Sequence, residues 1–101
     1  MSSVPQAAPA QVANRAADVQ VVDVREPDEV ATGAIANSTP IPLGQLEARA
    51  GELDSTRPVV TVCQSGRRSQ QAAEALAAAG FDVANMTGGM NAWREAGLPT
   101  R

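Results

Sequence analysis

Hydrophobic positions along the chain fall in short blocks separated by polar turns. Gln20–Val24 and Val59–Val62 are near-continuous apolar runs, the pattern of parallel strands buried on both faces. Val83–Met86 forms a third such block. Between them lie segments of helical composition. Ala10–Ala17 is one, and a short one opens at Pro27, carries Asp28 and Glu29 where they complement its dipole, and stops at Gly33. Leu43–Leu53 places Leu46, Ala50 and Leu53 on one helical face. A strong run from Ser69 to Ala79 ends at Gly80, where a left-handed C-cap is favoured. The Gly88-Gly89 turn leads into a last helix over Asn91–Ala96, with Met90 and Trp93 expected in the core. Pro40 and Pro42 restrict Ile41 to a short strand near a sheet edge. Residues 1–9 read as an extended lead-in with room for one short edge strand. The alternation predicts an α/β fold, with a mainly parallel central sheet of about five strands and helices on both faces.

Composition narrows this picture. The 101 residues suffice for one domain, taken as residues 1–101. Apolar residues make up 44%, with one Phe, one Trp and no Tyr, so Val, Leu, Ile and Ala must build the core. The net charge is −3 and every basic residue is arginine, which argues against a nucleic-acid or acidic-membrane partner. A single cysteine excludes an internal disulfide and a multi-cysteine zinc site. The absence of histidine excludes Cys–His and Ser–His hydrolases and most imidazole metal sites. Met1–Gln6 has neither the basic nor the apolar region of a secretory signal, and no apolar stretch reaches membrane-spanning length. A free thiol without an export signal is expected in a reducing cytoplasm.

That thiol is where the chemistry concentrates. Val59–Val62 leads directly into Cys63, then Gln64, Ser65, Gly66, Arg67, Arg68 and Ser69, and then the helix. In a strand–loop–helix unit, loop N–H groups and the helix dipole converge on one point, which favours an anion. A cysteine at that point is expected to have a lowered pKa and a reactive thiolate. A lone cysteine after a strand is more often inert core. Two arginines at the helix start oppose the dipole unless an anion sits there, and this tips the balance towards function. Gly66 permits unusual backbone geometry, and Ser69 is placed to cap the helix. The spacing Cys-x4-Arg is one residue narrower than the Cys-x5-Arg loop that wraps a phosphoryl group. A tighter ring suits a persulfide sulfur.

Cys63-Gln64-Ser65-Gly66-Arg67-Arg68-Ser69 resembles the active-site loop of the rhodanese (thiosulfate sulfurtransferase) family in its single-domain form. Val22-Asp23-Val24-Arg25-Glu26, Ile41-Pro42-Leu43 and Gly88-Gly89-Met90-Asn91-Ala92-Trp93 agree in order and spacing, so the resemblance runs from about Val19 to Pro99. It implies transfer of sulfane sulfur from thiosulfate or a similar donor to cyanide, a thiol or a thiol-bearing protein, through a Cys63 persulfide held by residues 64–69. It implies no metal and no organic cofactor. By the same resemblance Arg68 braces the loop and Arg67 sets substrate charge preference. Asp23 and Arg25 are expected as a strand-end ion pair, with Arg25 also a candidate secondary anion contact. A sulfur-relay or protein-binding module with little thiosulfate activity is the alternative, and a cysteine phosphatase or arsenate reductase is disfavoured by loop width. One stretch departs from the family: Gly33-Ala34-Ile35-Ala36-Asn37-Ser38 stands where Gly-His-Ile-Pro-Gly-Ala is usual. The departure leaves local loop geometry and a partner surface open there, and does not touch the thiol.

Overall fold

Val59–Val62 forms the centre of the sheet because its side chains find apolar partners on both faces. In the computed structural model, which describes residues 4–101, this strand (β4) is buried at every position. Val59 joins a core with Val22, Leu46, Ala72, Ala73 and Leu76 on one face, while Val60 and Val62 join Val12, Met90 and Trp93 on the other. The element order is β1 (Gln6–Ala7), α1 (Pro9–Asn14), β2 (Gln20–Asp23), α2 (Pro27–Val30), β3 (Thr39–Pro40), α3 (Leu46–Arg49), β4, α4 (Arg67–Ala78), β5 (Val83–Met86) and α5 (Gly89–Glu95). The five strands lie in the order β1-β5-β4-β2-β3, and every pairing is parallel. Helices α3 and α4 supply one face, α1 and α5 the other. The expected α/β sheet with helices on both faces is what forms. No helix among the described residues is long and apolar enough to cross a membrane.

β3 takes the expected edge position beside β2, where Pro40 has no N–H to offer and none is needed. The lead-in contributes β1 at the opposite edge, paired with β5, while residues 1–3 of that expectation lie outside the described residues. Trp93 and Met90 are core, and the Trp93 indole N–H donates to the Pro99 carbonyl at 3.0 Å. Gly80 has the left-handed φ of +96° expected after α4.

One local expectation requires correction. Leu43–Leu53 is not one helix: a 3-10 turn over Leu43–Gln45, the short α3, and a second 3-10 turn over Ala50–Glu52 follow one another. Gly44 and Gly51 lie inside this stretch, and glycine weakens a helix interior, so tertiary burial of Leu46 and Leu53 shapes it instead. The loop over residues 33–38 keeps a tight turn despite its altered sequence. Ser38 N–H donates to the Ile35 carbonyl at 3.1 Å, and Asn37 has φ +66°. Asn37 stands where the family pattern has glycine, and asparagine is the side chain that best tolerates the left-handed region. Backbone bonds between Ala34 and Arg101, at 3.1 and 2.9 Å, fasten the loop to the C-terminal segment.

Asn37 therefore carries the turn. Replacing it with valine, which resists positive φ, should lower the free energy of unfolding by about 1–2 kcal/mol. Asn37→Gly should stay within about 0.5 kcal/mol of the parent, since exposed sites that keep their geometry change little. Urea denaturation of both variants measures the difference.

Candidate active site

The C-terminal end of β4 delivers Cys63 between β2 and β5, where sites form in parallel sheets. Its sulfur accepts hydrogen bonds from the Gly66 N–H at 3.0 Å and the Ser69 hydroxyl at 3.3 Å. Burial pushes the thiol pKa up. Hydrogen bonds from the Ser69 hydroxyl and from the N–H groups of Ser69, Gly66 and Ser65 outweigh that effect, so the pKa lies below the ordinary thiol range. The residue has no exposed surface. Ser65, Gly66 and Arg67 line an open depression of about 620 Å³ on the outer side of the loop, together with Gln6, Gln70 and Asn85.

The loop enters α4 earlier than the sequence suggests. Arg67 and Arg68 are already in the first turn, and Gly66 is the N-cap with φ +99°. The expectation that Ser69 caps the helix is thereby corrected. Gly66 makes the left-handed entry without a side-chain cap, and Ser69 lies buried as the third residue of the helix, with its hydroxyl given to the sulfur. Beneath it, the buried Thr61 hydroxyl donates to the Ser69 carbonyl at 2.8 Å.

The other side of the loop is held by α5. Met90 N–H donates to the Cys63 carbonyl at 2.8 Å and Asn91 N–H to the Gln64 carbonyl at 3.1 Å. Such an approach needs the Gly88-Gly89 turn. Both residues have positive φ, and a Cβ on Gly89 would overlap the Cys63 carbonyl oxygen and the Gln64 backbone. Gln64 is fixed further by its side chain, which donates to Asn91 Oδ1 at 2.7 Å and accepts from Arg25 at 3.2 Å.

The arginines divide sharply. Arg68 turns to α2 and forms a two-pronged ion pair with Glu29, at 2.6 and 2.8 Å. The Arg68 guanidinium holds the Glu29 carboxyl down to about 2, and the same hydrogen bonds push the Arg68 pKa above its ordinary range. Arg67 is exposed on the rim of the depression and has no side-chain hydrogen bond or ion pair among the described residues. Arg25 does not serve as an anion contact in this geometry. It is fully buried, and its N–H groups are spent on the Asp23 carboxylate, the carbonyls of Glu29 and Gly33, and Gln64 Oε1. The strand-end pair with Asp23, at 2.8 Å, is as expected.

Glu29, Asn91, Thr61 and Asn85 were not singled out by sequence reasoning. Glu26, Asp28 and Glu29 are equivalent on paper as counter-charges for the loop. Only the packing of α2 against it selects Glu29.

A family model described as Rhodanese-like domain matches residues 8–96. The chain belongs to the rhodanese-like domain family. A sulfurtransferase of Allochromatium vinosum is 41% identical over 83 residues, covering 81% of this chain and 78% of the relative. The thiosulfate sulfurtransferase GlpE of Shewanella oneidensis is 39% identical over 82 residues, 80% of this chain and 81% of that one. Among solved structures, a rhodanese-related protein from Thermoplasma volcanium superposes with a TM-score of 0.93 at 32% identity, covering 96% of this chain and 97% of its own.

Two outcomes test the site's construction. Gly89→Ala should destabilise by about 3 kcal/mol, the upper end of overpacking costs. Gly80→Ala, also at positive φ but with open space around it, should cost only about 1 kcal/mol. The Glu29–Arg68 pair is part-exposed, so after solvent screening Glu29→Gln should lose about 1 kcal/mol at pH 7. Because the folded-state pKa of Glu29 is depressed from 4.5 to about 2, that contribution is complete above the unfolded pKa and is lost as pH falls through this interval. Parent and variant should therefore converge in urea titrations near the bottom of it.

Proposed function

We propose that this rhodanese-like domain is a sulfurtransferase that carries sulfane sulfur on Cys63. The observation that carries the reading is the ring of N–H groups from Ser65, Gly66 and Ser69, closed on the single thiol at the start of α4 and lowering its pKa. The Cys63 thiolate attacks the outer sulfur of thiosulfate or a similar donor. The donor's S–S bond breaks, sulfite leaves with the bonding pair, and a Cys63 persulfide anion remains. Cyanide or a thiolate then attacks the outer persulfide sulfur, and the Cys63 thiolate departs unchanged. No proton need move in either step, so a site without histidine suffices. The names of the sulfurtransferase relatives support this reading, as does the loop width. Six residues from Cys63 to Arg68 leave a ring suited to one sulfur, with donors about 2.7–3.1 Å from the charge they stabilise, and too narrow for a phosphoryl group.

In this scheme Arg68 braces the loop through Glu29, and Arg67 draws the anionic donor to the rim. The enclosure of Cys63 means that a rim group must yield before a donor reaches the sulfur. That enclosure also favours a second version of the reading, in which a thiol-bearing protein opens the loop and takes the sulfur.

Thiosulfate should increase the protein mass by one sulfur atom, and cyanide or a thiol should remove it. Cys63→Ser should abolish both events while the fold persists. A Cys63→Ser protein that still transfers sulfur would overturn the mechanism. Robust transfer to a protein thiol with weak turnover of thiosulfate and cyanide would select the second version. Arg67→Ala should raise the KM for thiosulfate by about tenfold at low salt, with the effect shrinking as exposed charges are screened. Arg68→Ala should lower kcat more than Arg67→Ala does, at any ionic strength. Equal, salt-independent losses would contradict this division.

A further inference from the structure

A buried amide behind the loop lies outside the chemistry described so far. Asn85, on β5, is only 3% exposed and pairs in register with Thr61 of β4, two residues before Cys63. Its Nδ2 donates to the Gly66 carbonyl at 3.3 Å and to Gln6 Oε1 at 3.0 Å. Its Oδ1 is buried without a partner among the described residues, an arrangement that is costly and rare. The amide NH2 offers two donors, one to each flanking carbonyl, and brings no charge into the buried site; the orphaned oxygen is the consequence.

The backbone of Gly66 explains what this amide accomplishes. With φ +99° and ψ −2°, the Arg67 nitrogen eclipses the Gly66 nitrogen, and the Gly66 carbonyl points the opposite way. The two successive N–H groups are thus presented on one side, as in an anion-binding nest. That side is the sulfur's, since the Gly66 N–H is bonded to Cys63 Sγ. The carbonyl on the far side is the one Asn85 holds. As the N-cap carbonyl of α4 it faces the first helical turn as well, and the Asn85 amide holds it from the β5 side, restraining the rotation that would swing Gly66 away from the sulfur.

We infer that Asn85 is a positioning residue for sulfur stabilisation, holding the Gly66 carbonyl so that the Gly66 N–H stays directed at Cys63 Sγ, with Gln6 of the N-terminal edge strand fixing the Asn85 amide in turn. Gln6 is itself held by Gln70 of α4, to which its Nε2 donates at 2.7 Å. The N-terminal strand therefore reaches the reacting thiol through two side chains. This inference rests on Cys63 being the reacting group of the proposed function. Its test uses thiol ionisation alone, so a failure to transfer sulfur from any donor would leave it standing.

With one cysteine and no tyrosine, the ultraviolet absorbance of the thiolate reports Cys63 without interference. Asn85→Ala should move the titration midpoint up by about one pH unit, the scale of losing one hydrogen bond to a charged group. Gln6→Ala, at an exposed position, should move it in the same direction by less. Val12→Ala, which opens a cavity where α1 packs on the sheet and has no hydrogen-bonding side chain to lose, should lower the melting temperature and leave the midpoint in place. An unmoved midpoint in Asn85→Ala, or an equal shift in Val12→Ala, overturns the inference. Should Asn85→Ala not fold, Gln6→Ala decides: an upward shift supports the relay and an unchanged midpoint overturns it.

Discussion

A buried sulfur ringed by hydrogen-bond donors is the constraint on which the rest of the structure depends. Burial alone favours the neutral thiol, because a charge taken from water loses solvation. The chain offsets this chiefly with N–H groups of one loop and the hydroxyl of Ser69, while the Arg68 charge also acts on the sulfur. Fixed backbone dipoles in a dry site stabilise charge without reorganising, but only if the backbone cannot turn away. Much of the surrounding architecture serves that condition.

The loop is gripped from three sides. α5 gives the first N–H groups of its helix to the Cys63 and Gln64 carbonyls, which requires the bare backbone of Gly89. α2 supplies Glu29 to Arg68. From β2 comes Arg25, which joins Asp23, Gln64 and the carbonyls of Glu29 and Gly33 in one buried cluster. A buried ion pair of this kind adds little net stability, and removing one partner is costly because the other is left uncompensated. Its contribution is geometric: it locks the ends of β2 and α2 to the loop. The arginines adjacent in sequence consequently differ in kind. Arg68 is committed to the scaffold and Arg67 remains free at the rim.

The altered segment at residues 34–38 shows how much sequence change the scaffold absorbs. The histidine and the Pro-Gly pair of the family pattern are absent. The turn persists because Asn37 accepts a left-handed conformation, while Ile35 still enters the core beside Trp93. The outward positions Ala36 and Asn37 are exposed, so the difference is carried by the surface and not by the sulfur site.

The order of strands and helices, the central place of Val59–Val62 and the convergence on Cys63 were legible in the sequence, because each follows from local patterning. Apolar runs specify buried strands, Gly80 and Pro27 mark helix ends, and a Cys-x4-Arg loop after a strand has few chemical uses. Where sequence reasoning failed, the deciding contacts were remote in the chain. Leu43–Leu53 looked helical by spacing, yet Gly44 and Gly51 weaken a helix there and burial of Leu46 and Leu53 shapes it into turns. Ser69 looked like a cap until Gly66 took that position and left its hydroxyl for the sulfur. Arg25 looked free for an anion, but Gln64, distant in sequence, and the α2 backbone use its donors. Glu29 and Asn85 acquired their roles only when α2 and β5 were laid beside the loop. Local patterns fix which segments form and where the thiol emerges, whereas the partner of each polar group depends on which elements the sheet order makes neighbours.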